Sequence, residues 1–158
     1  MVKDTTNEEK GYAKINLALH VTGIQADGYH ALDSIVVFTD VFDRLFFKRS
    51  LKNVVTLTGE FSKSINVREN SILQALKLFG NGLTDRFSIN LEKNLPIGAG
   101  LGGGSADAAA VIRFITNNSK HLMPSFEALS KIGADIPACV LSVASRVGGI
   151  GEIVRPLD

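Results

Sequence analysis

Pro96-Ile97-Gly98-Ala99-Gly100-Leu101-Gly102-Gly103-Gly104-Ser105-Ala106-Asp107-Ala108-Ala109-Ala110 sets five glycines within seven positions directly before an alanine-rich stretch. Glycine lets the backbone take positive φ and approach an anion closely. A helix starting behind it aims free N–H groups at that anion. A flexible tether would continue as Gly and Ser, whereas this run ends at Ser105 and turns helix-forming. The stretch therefore reads as a phosphate cradle opening a helix.

Two formal motifs compete for the run, and both fail. Gly98-x-Gly100-x-x-Gly103 fits the dinucleotide fingerprint, which needs a strand running straight into the loop and an acid about twenty residues on. Residues 92–96 intervene, and residues 118–123 contain no acid. In the P-loop frame Gly98, Gly103 and Ser105 are well placed, but Gly104 stands where the phosphate-binding lysine belongs. What remains is a cradle of backbone dipoles helped by the helix beginning near Ser105.

Outward from the run, residues 106–115 are apolar nearly all round, with only Asp107 and Arg113 charged, which predicts a buried helix. Upstream, residues 11–21 alternate apolar with polar, and 33–39, 43–48, 53–58 and 86–91 are further strands. Asn70 offers an N-cap for a helix over 70–79, ended by Gly80-Asn81-Gly82. Downstream, 124–132 and 136–141 read as short helices, and 145–154 as a hairpin turning at Gly148-Gly149. Strands first and helices later predict an α+β fold, a mixed or antiparallel sheet covered by helices. Residues 1–10 read as a disordered lead.

The 158 residues fit one domain, 45% hydrophobic and 21% charged, as in ordinary soluble globular proteins. Seventeen Lys and Arg against sixteen Asp and Glu give +1, no electrostatic case for nucleic acid or an anionic membrane. Cys139 stands alone, so an internal disulfide and a cysteine-based metal site are excluded. The polar start lacks a secretory signal, and no apolar run reaches a membrane span. A soluble cytoplasmic protein is expected.

Three further segments carry chemistry, each with two readings. Lys14, in Ala13-Lys14-Ile15-Asn16-Leu17, is either a solvated strand residue or a fixed cation beside a phosphoryl group, with Asn16 on the same face. Asp135, in Gly133-Ala134-Asp135-Ile136-Pro137, either stabilises a helix start or accepts a proton from a hydroxyl nucleophile. Tyr29 and His30, in Ala26-Asp27-Gly28-Tyr29-His30, either stack on a base or sugar or form a plain turn. His20 and His121 make no metal-ligand spacing with His30.

Together, in this order, the glycine run and these three segments resemble the N-terminal part of the galactokinase–homoserine kinase–mevalonate kinase superfamily. The Asp-Gly-Tyr-His segment and the triple glycine resemble its branch acting on a methylerythritol that carries a cytidine diphosphate, in the non-mevalonate isoprenoid route. The resemblance implies an ATP- and Mg²⁺-dependent kinase phosphorylating the 2-hydroxyl, with a domain like the second domain of ribosomal protein S5. It implies Asp135 as general base, Lys14 as its orienting cation, and Pro96 to Ala106 around the ATP phosphates. Tyr29 and His30 would hold the cytidine, Asn16 would help position substrate, and the metal ligands stay open, with Ser105 a candidate. Two departures stand out. Val36 replaces an aromatic usual after the Tyr-His pair, and residues 11–158 cover only the N-terminal domain, without the C-terminal one. From these, an inactive or weakly active fragment that self-associates through a bared apolar face is expected. Two alternatives are another small-molecule kinase of the superfamily and a non-catalytic nucleotide- or RNA-binding module.

Overall fold

The computed structural model describes residues 7–24, 28, 30–64, 71–80, 83 and 85–158. In chain order these form β1 (Asn7–Ile24), β2 (His30–Ser50), β3 (Val54–Thr58), a 3₁₀ turn (Ser62–Ser64), α1 (Ser71–Leu78) and β4 (Arg86–Glu92). Then come α2 (Gly103–Asn118), α3 (Phe126–Ser130), α4 (Ile136–Leu141), β5 (Ser145–Gly149) and β6 (Ile153–Pro156). Asn70, Tyr29 and the Ala26-Asp27 turn lie outside the described residues.

The long strand β2 organises a six-stranded sheet. One of its edges runs antiparallel to β1, from Asn7↔Phe47 to Ile24↔His30. Its other edge is shared, with β5 on Leu32–Val36 and β4 on Arg44–Ser50. β3 joins β4 in parallel and β6 closes the far side, so the sheet is mixed, as expected for the α+β reading.

Two boundaries differ from the sequence reading. Residues 33–39 and 43–48 belong to one strand, because pairing with β1 continues across a register shift between Tyr12 and Lys14 that absorbs the polar step at Thr39-Asp40. Residues 7–10, expected in a disordered lead, are strand. Their acids are tied to other elements, Glu8 to Arg44 of β2 at 2.9 Å and Glu9 to Arg113 of α2 at 3.2 Å. The final hairpin also turns later than Gly148-Gly149, at 150–152, where Ile150 N–H donates to Glu152 Oε2 at 2.7 Å.

The helices cover one face of the sheet, and α2 is its central buttress. Ala106, Ala108, Ala109, Ala110, Val111, Ile112, Phe114 and Ile115 are all buried, in line with the expected apolar helix. Small side chains at its N-terminal half bring its backbone hard against β1. At its C-terminal half, Phe114 stacks on Phe47 of β2, centroids 3.8 Å apart, and meets Phe87 of β4 edge-on at 5.3 Å. The helix is thus fixed along its length, and its N-terminus, with the glycine run, is held at one place on the sheet.

Candidate active site

The glycine run wraps the N-terminus of α2, which begins at Gly103, two residues before the expected start. Gly98, Gly100 and Gly102 all take positive φ, a region L side chains adopt at a cost. Gly102 is the N-cap, at φ 67° and ψ 18°, and supplies no side chain to satisfy the first-turn N–H groups. A bare helix N-terminus under a glycine loop is a fit for an anionic phosphate.

Lys14 anchors this loop from β1. Its backbone N–H donates to Leu101 O at 2.8 Å. Its side chain is buried, 3% exposed, which excludes the solvated-strand reading. The ammonium lies 3.1 Å from Asp135 Oδ1 and donates to Asn16 Oδ1 at 2.5 Å. Asn16 donates onward to Ser34 Oγ at 2.8 Å, and Ser34 donates to Ala18 O at 2.7 Å. Every group in this chain has a defined partner, so the amide of Asn16 has one orientation. Sequence alone gave no signal for Ser34, whose place depends on the β1–β2 register.

Asp135 occupies the N-cap position of α4 but makes no side-chain cap bond there. Its carboxylate turns to Lys14 and stays open to solvent, 43% exposed, so it can meet a ligand. A β-carbon built on Gly102 falls 3.3 Å from Lys14 Cε and 3.6 Å from Asp135 Oδ2. One built on Gly133 falls 3.4 Å from Ser105 Oγ. The loop before α4, the first turn of α2 and the Lys14 segment therefore converge on one spot. Pro96 to Ala106, Lys14, Asn16 and Asp135, predicted separately, form one constellation.

His30 is not part of it. It is exposed at the far end of the β1–β2 pair, opposite Ile24, whereas Asn16 faces Val36. Six strand residues put it about 20 Å along β2 from that point. Val36 itself is buried against Ala138 and Val147 and presents no surface to a ligand. Just below the glycines lies a second charged group missed in the sequence, Lys93 with Asp43 and Asp107. A charge on a helix buried all round was the signal for it, since such a charge needs a partner.

A helix-borne glycine cradle beside a buried lysine and an open aspartate, on this mixed sheet, is suited to hold a phosphate next to a carboxylate. Residues 70–150 match the model of the GHMP kinases N terminal domain, and the chain belongs to that family. Among curated relatives, it is 42% identical over 146 residues to 4-diphosphocytidyl-2-C-methyl-D-erythritol kinase of Cereibacter sphaeroides (strain ATCC 17025 / ATH 2.4.3), covering 92% of this chain and 51% of that protein. It is 45% identical over 158 residues to the enzyme of the same name from Rhizobium johnstonii, covering 94% and 52%. A crystal structure of 4-(cytidine 5'-diphospho)-2C-methyl-D-erythritol kinase superposes with a TM-score of 0.75 at 33% identity, over 96% of this chain and 55% of that one. The Methanococcus jannaschii mevalonate kinase shares the fold, with a TM-score of 0.58 at 14% identity. The chain spans about half the length of the curated relatives it matches.

Proposed function

We propose that this chain carries the phosphate-binding and proton-accepting parts of a cytoplasmic kinase that moves the γ-phosphoryl group of ATP to the 2-hydroxyl of 4-diphosphocytidyl-2-C-methyl-D-erythritol. The observation that carries this reading is the Lys14–Asp135 pair, 3.1 Å apart and pressed against Gly102. The N–H groups of residues 103–105 and the glycine loop bind the phosphates. The substrate hydroxyl oxygen attacks the γ-phosphorus, the bond to ADP breaks, and Asp135 takes the hydroxyl proton. Lys14 holds the Asp135 carboxylate toward the reacting oxygen and offsets the negative charge that develops there. Asn16, fixed by Lys14 and Ser34, offers its amide to the substrate.

When bound, Mg²⁺ would supply charge neutralisation on the phosphates, and the Ser105 hydroxyl is a candidate to hold it. The described residues contain no group of three His, Cys, Asp or Glu able to hold a metal by themselves. The distance along β2 to His30 suits a long substrate, with a base at one end and the reacting alcohol at the other. Tyr29 and His30 are the proposed contacts to the cytosine.

The test is Asp135→Asn in a chain extended to the length of the relatives. Turnover falls by about 10²- to 10⁴-fold, as for loss of a positioned general base, with ATP affinity unchanged. Equal loss of both would overturn the assignment. A parallel assay sets cytidine-bearing against base-free alcohols, and equal rates would favour another small-molecule kinase of the family. Affinity for RNA that falls steeply with salt would instead favour the non-catalytic module.

A second reading concerns association. Leu17, Leu19, Val21 and Ile24 of β1 are 66%, 54%, 58% and 72% exposed, an apolar strip along an edge strand. We propose that this strip pairs two copies of the chain. Sedimentation of a clean monomer well above micromolar concentration would contradict it.

A further inference from the structure

Besides Asp107, the charged residue of the apolar helix α2 is Arg113, half-buried where β1, α2 and α4 meet. Its guanidinium bonds to both neighbouring elements. Nη2 donates to Lys10 O of β1 at 2.5 Å, and Nε donates to Glu9 Oε2 at 3.2 Å. Nη1 donates to Cys139 O at 2.8 Å and to Ser142 Oγ at 3.4 Å, at the C-terminal end of α4. A planar, rigid fork of donors holds two backbones in a fixed relation, which a single flexible ammonium does not.

Those two backbones carry the Lys14–Asp135 pair. Lys10 lies four residues before Lys14 on β1. Cys139 lies four residues after Asp135, whose carbonyl accepts the Cys139 N–H at 3.0 Å. With six residues, α4 is too short to hold its own course, so its placing depends on what surrounds it. Ile136, Ala138, Cys139 and Val140 are buried, but apolar contact is non-directional and fixes depth more than position along the axis. Arg113 supplies directional bonds at the C-terminal end, while Asp135 at the other end makes no side-chain cap bond. Ser142, which ends α4, stands at φ 50°, a left-handed conformation that a non-glycine residue enters at a cost. Its hydroxyl donates to Cys139 O at 2.6 Å and accepts from Arg113, so the same fork holds this turn.

We propose that Arg113 is a positioning residue for the phosphoryl transfer. By tying Lys10 of β1 to Cys139 and Ser142 of α4, it sets where Asp135 stands relative to Lys14. This rests on reading Asp135 as the base that takes the hydroxyl proton. A base acts only within hydrogen-bond reach of that proton, and a misplacement of about 1 Å costs about 10²-fold in rate. Arg113 lies about 15 Å along α2 from Gly103, so it acts through the two backbones rather than on the phosphates. The Glu9 carboxylate balances the guanidinium from the β1 side, and its bond leaves α4 untouched.

The experiment is kinetic, in the chain extended to the length of the relatives. Arg113→Lys keeps the charge and most of the stem but cannot span Lys10 O and Cys139 O together. Its kcat falls about 10- to 100-fold with the KM for ATP unchanged. Glu9→Gln leaves both carbonyl bonds in place and keeps the wild-type kcat. A wild-type kcat in Arg113→Lys overturns the proposal, and so does an equal loss in both variants. Absence of turnover from the wild type counts instead against the kinase reading, and the ligand-free 158-residue chain then decides. There, nuclear Overhauser contacts between the Lys14 ε protons and the Asp135 β protons weaken in Arg113→Lys, while those between Phe47 and Phe114 persist. Both sets unchanged overturn the positioning role. Loss of both marks a residue that merely holds the fold, and overturns it too.

Discussion

Two lysine–aspartate groups lie against neighbouring glycines of one loop, and they differ in what surrounds them. Lys14 presses on Gly102, and its partner Asp135 is open to solvent and makes no cap bond to its own helix. Lys93 presses on Gly103, and its partners Asp43 and Asp107 are both buried. The same pair of side-chain types therefore stands in two different settings. Where the carboxylate faces solvent, its lone pairs are free for a substrate. Where it is enclosed, the bonds it accepts come from the loop backbone and the ammonium, and the pair acts as structure. The glycines let both lysines come this close to the loop.

The sharpest way to break this contrast is to remove each ammonium in turn. Lys93→Met leaves two carboxylates buried without their counter-charge and lowers unfolding stability by about 3–5 kcal/mol, read from urea midpoints. Lys14→Met leaves Asp135 in water, so the melting curve stays near that of the wild type. Turnover in the relative-length chain drops by about 10²- to 10³-fold, as for a lost donor at a developing charge. Matching stability losses in the two variants would erase the distinction.

A smaller effect appears in the pH dependence of stability. Burial pushes the folded Asp107 carboxyl up to about 7, from the ordinary aspartate value of 3.8. Between those values the folded protein holds a proton that the unfolded chain has released, so stability falls as pH rises from about 4 to 7 and levels above that. Asp107→Asn removes this slope, which denaturation at pH 5 and pH 8 would reveal. The mildest change is Ser34→Ala, which frees the Asn16 amide at a cost of about 1 kcal/mol. It should appear as a raised KM for the alcohol with an unchanged KM for ATP.

Residue chemistry made part of this legible and hid the rest. The glycine run, Lys14, Asn16 and Asp135 were visible because each combines an unusual residue with a distinctive setting. Their convergence was not, since Asp135 reaches Lys14 only once α2 and α4 pack on β1. Asp43, Lys93 and Asp107 each sit in an ordinary-looking segment, and only the β2–β4 register and the seat of α2 unite them. The polar residues of 7–10 concealed a strand because ion pairs to Arg44 and Arg113, rather than apolar burial, hold its acids. The polar Thr39-Asp40 step hid the continuity of β2 in the same way, since backbone pairing across a bulge leaves no mark in the side-chain pattern.

The central claim is that nucleotide phosphates sit in the glycine cradle beside Lys14 and Asp135. Titrating the isotope-labelled chain with ATP and following its backbone amides tests this most directly. Residues 98–106 and Lys14 should shift together and saturably, with residues 145–156 unmoved. Shifts centred on any other part of the sheet, with residues 98–106 silent, would contradict the claim.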